Sequence, residues 1–290
     1  MATVYIATTG SDAYTYAQAQ SSATPWLTPG KVNTSATTGD TVSMAAGTYT
    51  WASVTFTKVF TWNGAALVNG LPTTILDGAA AHVRTISSAA TQTWNNIKFQ
   101  NVIQTSDAGI FESVSANGGI FTLCVFTNLQ IRGANIGDGY GLFSSSGAPT
   151  AVPWTLTNCL FYNIQAATAT TTAPYIFDGR ETTVIMTGCT FYNVATGANA
   201  LGGLFRRNFV GTFSITIKNC IFYSNPAINY SFGTIVNTSI SYSDFYQITS
   251  APTGTGTITS DPLLIDPSNP TTPNFRLSQS SPCVGTAIVP

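Results

Sequence analysis

The groups best suited to acid–base chemistry stand close together, in Asp178-Gly179-Arg180-Glu181 and in Arg206-Arg207. Glycoside hydrolysis needs two carboxyl groups flanking the scissile bond, one as acid and the other as base or nucleophile. In a catalytic reading of this patch Asp178 or Glu181 is the acid, and Arg180 is a base or a clamp for an anionic substrate. A second reading joins Glu112 to them, so that Glu112, Asp178, Arg180, Glu181, Arg206 and Arg207 form a saccharide-binding patch. A third makes them a surface ion-pair ladder or a salt-bridged contact to a neighbouring subunit, with no catalytic residue. The composition favours this third reading.

Charge is scarce. The 290 residues include 10 Lys+Arg and 11 Asp+Glu, 7% in all, against about 25% in an average soluble domain. Only two of the acids are Glu, and the nine Asp are scattered. The chain has 47 Thr, with Ser, Asn and Gly abundant as well, and Thr, Ser and Asn are expected at outward strand positions. A net charge of -1 does not neutralise a phosphate backbone, so nucleic acid is not an expected partner. No apolar run reaches the length of a transmembrane helix. Met1–Gly10 has no basic segment leading into an apolar one, so no secretory signal is expected. His82 is the single histidine, and nothing beside it suggests a triad. The five cysteines include no C-x-x-C pair, so neither a metal site nor a cofactor is expected. The 17 Phe, 12 Tyr and 5 Trp supply too much buriable surface for a disordered chain.

The elements that position these residues recur along the chain. Cys124-Val125-Phe126-Thr127-Asn128 matches Cys159-Leu160-Phe161-Tyr162-Asn163, Cys189-Thr190-Phe191-Tyr192-Asn193 and Cys220-Ile221-Phe222-Tyr223. Degenerate copies begin at Ile97 and Ser243. A second motif precedes each cysteine: Ile110-Phe111, Leu142-Phe143, Ile176-Phe177 and Leu204-Phe205. Uneven periods of this length indicate a solenoid with loops of variable size. Alternating stretches such as Phe213-Ser214-Ile215-Thr216-Ile217 are half-buried strands. No helical stripe of useful length is present. The pattern predicts an all-β protein, a right-handed parallel β-helix with at least two strands per coil.

In such a fold equivalent residues stack about 4.8 Å apart, farther than the ~3.8 Å between β-carbons of a disulfide. Cys124, Cys159, Cys189 and Cys220 are therefore expected as a buried ladder of free thiols beside a ladder of Phe126, Phe161, Phe191 and Phe222. Asn128, Asn163 and Asn193 are expected as an inward ladder where the strand bends, bonded to turn backbone. The aligned second motif brings Glu112, Ser144, Asp178 and Arg206 onto one surface strip. Thr-x-Thr steps such as Thr155–Thr157 are too sporadic for an ice-binding array.

The chain ends carry a resemblance. Val4-Tyr5-Ile6 leading to Gly10-Ser11-Asp12, then Thr24-Pro25-Trp26, Gly39-Asp40-Thr41-Val42 and Gly47-Thr48-Tyr49, resembles the opening of the pectate-lyase-like right-handed β-helix superfamily. Asp261-Pro262-Leu263, Asn274-Phe275-Arg276-Leu277 and Ser281-Pro282-Cys283 resemble its closing signature. The resemblance implies one domain: a cap and first rungs over 1–75, repeat rungs over 76–250 and a closing segment over 251–290. It does not imply a function, because the superfamily holds lyases, hydrolases, adhesins and phage spikes. The expected function is a non-enzymatic structural virion protein of a phage, a capsid decoration, head fibre or short tailspike-like subunit. It would be assembled in host cytoplasm, displayed on the virion surface and packed as a homotrimer with other virion proteins. Contact with host-surface polysaccharide is part of that expectation. The alternatives are a polysaccharide lyase or glycoside hydrolase, and a bacterial surface adhesin or filament subunit.

Overall fold

The computed structural model describes residues 1–87, 91–105, 109–113, 118–132, 141–145, 152–167, 175–179, 183–194, 203–207, 214–223, 237–248, 251–269 and 273–284. Among these residues the chain winds through three parallel sheets. Sheet A has nine strands, from Thr3–Ile6 to Asn237–Ser241. Sheet B has eight, from Gly47–Thr50 to Asp244–Tyr246, and sheet C has six, from Val54–Phe56 to Gly203–Arg207. Each coil passes from C to A to B, so it carries three strands, in keeping with the expected minimum of two. The architecture is a right-handed parallel β-helix. A short helix, α1 (Pro29–Ser35), lies at the N-terminal end. An antiparallel hairpin, Leu264–Asp266 with Asn274–Leu277, follows the last rung.

Stacked side chains fill the core. On sheet B the register aligns Phe99, Phe126, Phe161, Phe191, Phe222 and Phe245. Their rings stack nearly parallel, for example 4.7 Å between Phe126 and Phe161 and 4.3 Å between Phe161 and Phe191. On sheet C, Phe111, Phe143, Phe177 and Phe205 form a second column, with centroids 4.9 to 5.5 Å apart. Each such pair adds roughly 0.5–1.5 kcal/mol beyond the area it buries. Uniform spacing along the axis requires the same residue type at the same place in every coil, which is why the sequence repeats.

The corner between sheets A and B is two residues long in most coils, and it explains the cysteines. Its first residue is left-handed: Asn96, Leu123, Asn158, Asn219 and Tyr242 have φ of 57°, 54°, 53°, 54° and 49°, and Gly188 has 66°. The second residue then turns into the core. Cys124 donates its S–H to Trp94 O at 3.4 Å, Cys159 to Phe121 O at 3.4 Å and Cys189 to Leu156 O at 3.5 Å. A small side chain with one weak donor suits that place, and Ser243 occupies it in the last coil. All four thiols are buried and free, and burial pushes those of Cys159, Cys189 and Cys220 well above the ordinary range.

A second bend falls inside sheet B. Asn101, Asn128, Asn163 and Asn193 are left-handed there, with φ between 46° and 57°, a conformation Asn tolerates. The expected inward orientation is corrected: Asn128 and Asn163 are exposed. Their amides bond along the axis instead of to turn backbone, Asn128 Nδ2 donating to Asn101 Oδ1 and Asn163 Nδ2 to Asn128 Oδ1, each at 3.4 Å. A left-handed residue on the convex side of a bend points its side chain to solvent, and stacked amides then satisfy one another.

Candidate functional site

The expected charge strip is in register, but its described members Glu112, Ser144 and Asp178 are not on the surface. Glu112 pairs with Ser144, Ser144 with Asp178, and Asp178 with Arg206. Glu112, Ser144 and Asp178 are nevertheless buried, as are Ile110, Leu142, Ile176 and Leu204 in the neighbouring row. Sheet C is thus covered on both faces along these strands. The Glu112 carboxylate accepts from Arg84, 2.7 Å from Nε and 2.6 Å from Nη2. Both contacts fall on Oε2, and charge-assisted bonding of this kind is what makes a buried carboxylate tolerable. Arg180 and Glu181, and the side chains of Arg206 and Arg207, lie outside the described residues. Sequence reasoning missed Arg84, whose only signal is its position one coil before Glu112.

Most described carboxylates serve the backbone. Asp12 accepts from Leu27 N, Thr28 N and Thr28 Oγ1. Asp40 accepts from Ala2 N, Thr37 N and the Tyr16 hydroxyl; burial raises its pKa, but these bonds more than offset that and hold it below the ordinary value. At Asp77 the same opposition, burial against bonds from Gln100, Ala79 and Asn101, again ends below it. Asp244 differs. It is buried under the closing segment, where the Cys283 thiol donates to Oδ2 at 3.3 Å. Burial, with Asp261 nearby, pushes its pKa up to about 6 against the opposing thiol bond. His82 Nδ1 accepts from Thr105 N at 3.4 Å, and desolvation followed by repulsion from Arg84 lowers its pKa.

A groove of about 680 Å³ runs over the outer face of sheet B, away from the expected patch. Its floor is a row of outward side chains on successive strands, Lys98, Val125, Leu160 and Thr190, with Tyr162 in the next row. One wall is the tight turn Val68–Leu71, closed by an antiparallel bridge. Asn69 and Gly70 sit there at φ of 53° and 82°, an Asn-Gly pair in the left-handed geometry two-residue turns require. The other wall is Pro273–Arg276 of the C-terminal hairpin. Phe275 anchors that wall on the tyrosines of sheet B, 5.0 Å from Tyr162 and 5.5 Å from Tyr192. Among the described residues of the lining Lys98 and Arg276 carry charge, and none is Asp or Glu. Desolvation lowers the pKa of Lys98, with Asp77 opposing the shift. A half-covered ammonium, a guanidinium and an aromatic edge along an open cleft can hold a polyhydroxylated chain that carries negative charge.

No family model matches this chain, and no curated protein matches it. Among solved structures it is similar to pectate lyase Pel9A, at 13% identity over 97% of this chain and 90% of that one, with a TM-score of 0.44. A rhamnogalacturonan lyase is similar at 13% identity over 84% and 74%, TM-score 0.38. A pectin methylesterase from Aspergillus niger is similar at 12% identity over 89% and 80%, TM-score 0.42. All three are parallel β-helix proteins, and the likeness to this chain is one of fold.

Proposed function

We propose that this chain is a non-enzymatic structural β-helix that contacts an acidic saccharide through the groove on sheet B, and that it does so as a homotrimeric subunit at the surface of a phage particle. The observation that carries the saccharide reading is the groove itself: Lys98 and Arg276 supply its charge, Tyr162 and Phe275 its aromatic edge, and its described lining residues include no carboxylate. Hydrolysis needs a pair of carboxyl groups at the bond, whereas binding an anionic chain needs only cations and ring faces. The structural part rests on the stacked, sparsely charged rungs, which suit a durable scaffold.

One feature favours a lyase as the second reading. A lysine whose pKa is depressed by burial can act as a base, and Lys98 lies in the groove with Arg276. Calorimetric titration with uronate oligosaccharides and neutral analogues of equal length separates the readings. Saturable binding of the acidic series is expected, weakened at least about tenfold by Lys98→Ala or Arg276→Ala, the loss of one charge-assisted contact. No unsaturated product should form on long incubation. Its appearance, and its loss in Lys98→Ala, would establish the lyase. Light scattering tests the trimer, and labelling of purified particles with an antibody to this chain tests the virion location.

A further inference from the structure

The Phe column of sheet C is incomplete at its N-terminal end. Phe205, Phe177, Phe143 and Phe111 stack in register, but the next two places are Thr85 and Val54. Trp51 swings in over the first gap, 5.4 Å from Phe111, and its indole N–H donates to Thr85 Oγ1 at 3.1 Å. No ring follows at Val54. There, beneath the first turn of α1, lies a cavity of about 310 Å³ bounded by Trp51, Val54, Phe56, Leu76, Thr85 and Trp94. It reaches the surface between Thr28–Gly30 and the exposed pair Ala52 and Ser53.

The chemistry of the lining selects the occupant. Three of the polar side chains at the walls are already engaged: Thr85 with Trp51, Thr28 Oγ1 with Asp12 Oδ2 at 2.6 Å, and Ser53 Oγ with Arg84 N at 3.0 Å. The cavity therefore presents ring faces and methyl groups, and a ligand charge would enter unpaired. Its volume is about twice the ~150 Å³ of an apolar protein cavity that takes benzene. We propose that this cavity is a binding site for a small, neutral, flat aromatic molecule of one or two fused rings, which stacks where the Phe column stops. The site is independent of the groove on sheet B and of any reading of it.

Naphthalene, titrated into the full chain, is the probe. Saturable quenching of tryptophan fluorescence is expected, with a rise in Tm of about 2–4 °C near tenfold excess over Kd. 2-Naphthoate, with the same rings and a charge, should bind at least about a hundredfold more weakly. Nuclear Overhauser contacts from naphthalene protons should reach the methyls of Val54 and Leu76 in the unaltered protein. Val54→Phe supplies the missing ring and should abolish the response while keeping the far-ultraviolet circular dichroism. The proposal is overturned by the absence of a saturable response up to the solubility limit. Contacts confined to other residues, or equal binding of the naphthoate, overturn it too.

Discussion

Leu123 is the residue whose replacement tests the corner geometry most directly. It sits at φ 54° in a place that Asn96, Asn158, Gly188 and Asn219 fill in other coils. A left-handed residue with a branched carbon chain costs roughly 1–2 kcal/mol, which Asn partly avoids by bonding locally. Leu123 is partly buried, so trimming it loses about 1 kcal/mol of apolar burial. Leu123→Asn is therefore expected to stabilise the fold by up to about 1 kcal/mol. Leu123→Gly should gain less, because glycine gives back about 0.5–1 kcal/mol of unfolded-state entropy. The reciprocal change, Asn158→Leu, should cost about 1–2 kcal/mol. Urea denaturation of the three variants with unchanged slope reads these differences, and Tm should move by about 2–4 °C per kcal/mol. If Leu123→Asn destabilises while Asn158→Leu is neutral, side-chain packing and not backbone handedness decides the corner, and the account of the repeat fails with it.

Two further predictions concern buried groups. Cys159→Ser should cost at most about 1 kcal/mol, because Ser243 holds the same place with its hydroxyl donating to Ser241 O at 2.9 Å; Cys159→Leu should cost about 1–3 kcal/mol by overpacking the ladder, both read by urea denaturation. Asp244 titrates near 6 when folded against an ordinary 3.8, so the folded state binds the extra proton between those values. Stability should fall as pH rises through that window, by no more than about 3 kcal/mol, and then level off. Asp244→Asn should raise stability at pH 7.5 and remove this step; an unchanged pH profile of Tm would show that Asp244 is solvated.

The rungs were legible because stacking repeats side chains at one spacing: Cys124, Phe126 and Asn128 reappear one coil later as Cys159, Phe161 and Asn163. Sheet C was visible only through its Leu-Phe and Ile-Phe pairs, and nothing in them revealed that its outer face is buried. Glu112 therefore read as a surface charge when it is the buried partner of Arg84. The groove was not legible at all. Lys98 and Tyr162 lie in different coils, and Arg276 and Phe275 reach them only because the C-terminal hairpin folds back over sheet B. Such convergence depends on loop paths that no local spacing records. The Asn row was found but turned the wrong way, because a left-handed bend reverses the direction that strand alternation alone assigns.

The two-residue corner between sheets A and B also governs how this protein can change in length. A deletion inside that corner would rotate a thiol out of the core, whereas the segments entering and leaving sheet C differ in size from coil to coil. Removing residues 159–188, one whole turn from Cys159 to the residue before Cys189, would set Phe191 on Phe126 with every column intact. Duplicating the same stretch would lengthen the rod by about 4.8 Å. The molecule is thus a ruler graduated in turns: its lineage can shorten or extend it in whole steps, while trimming by single residues is confined to the loops.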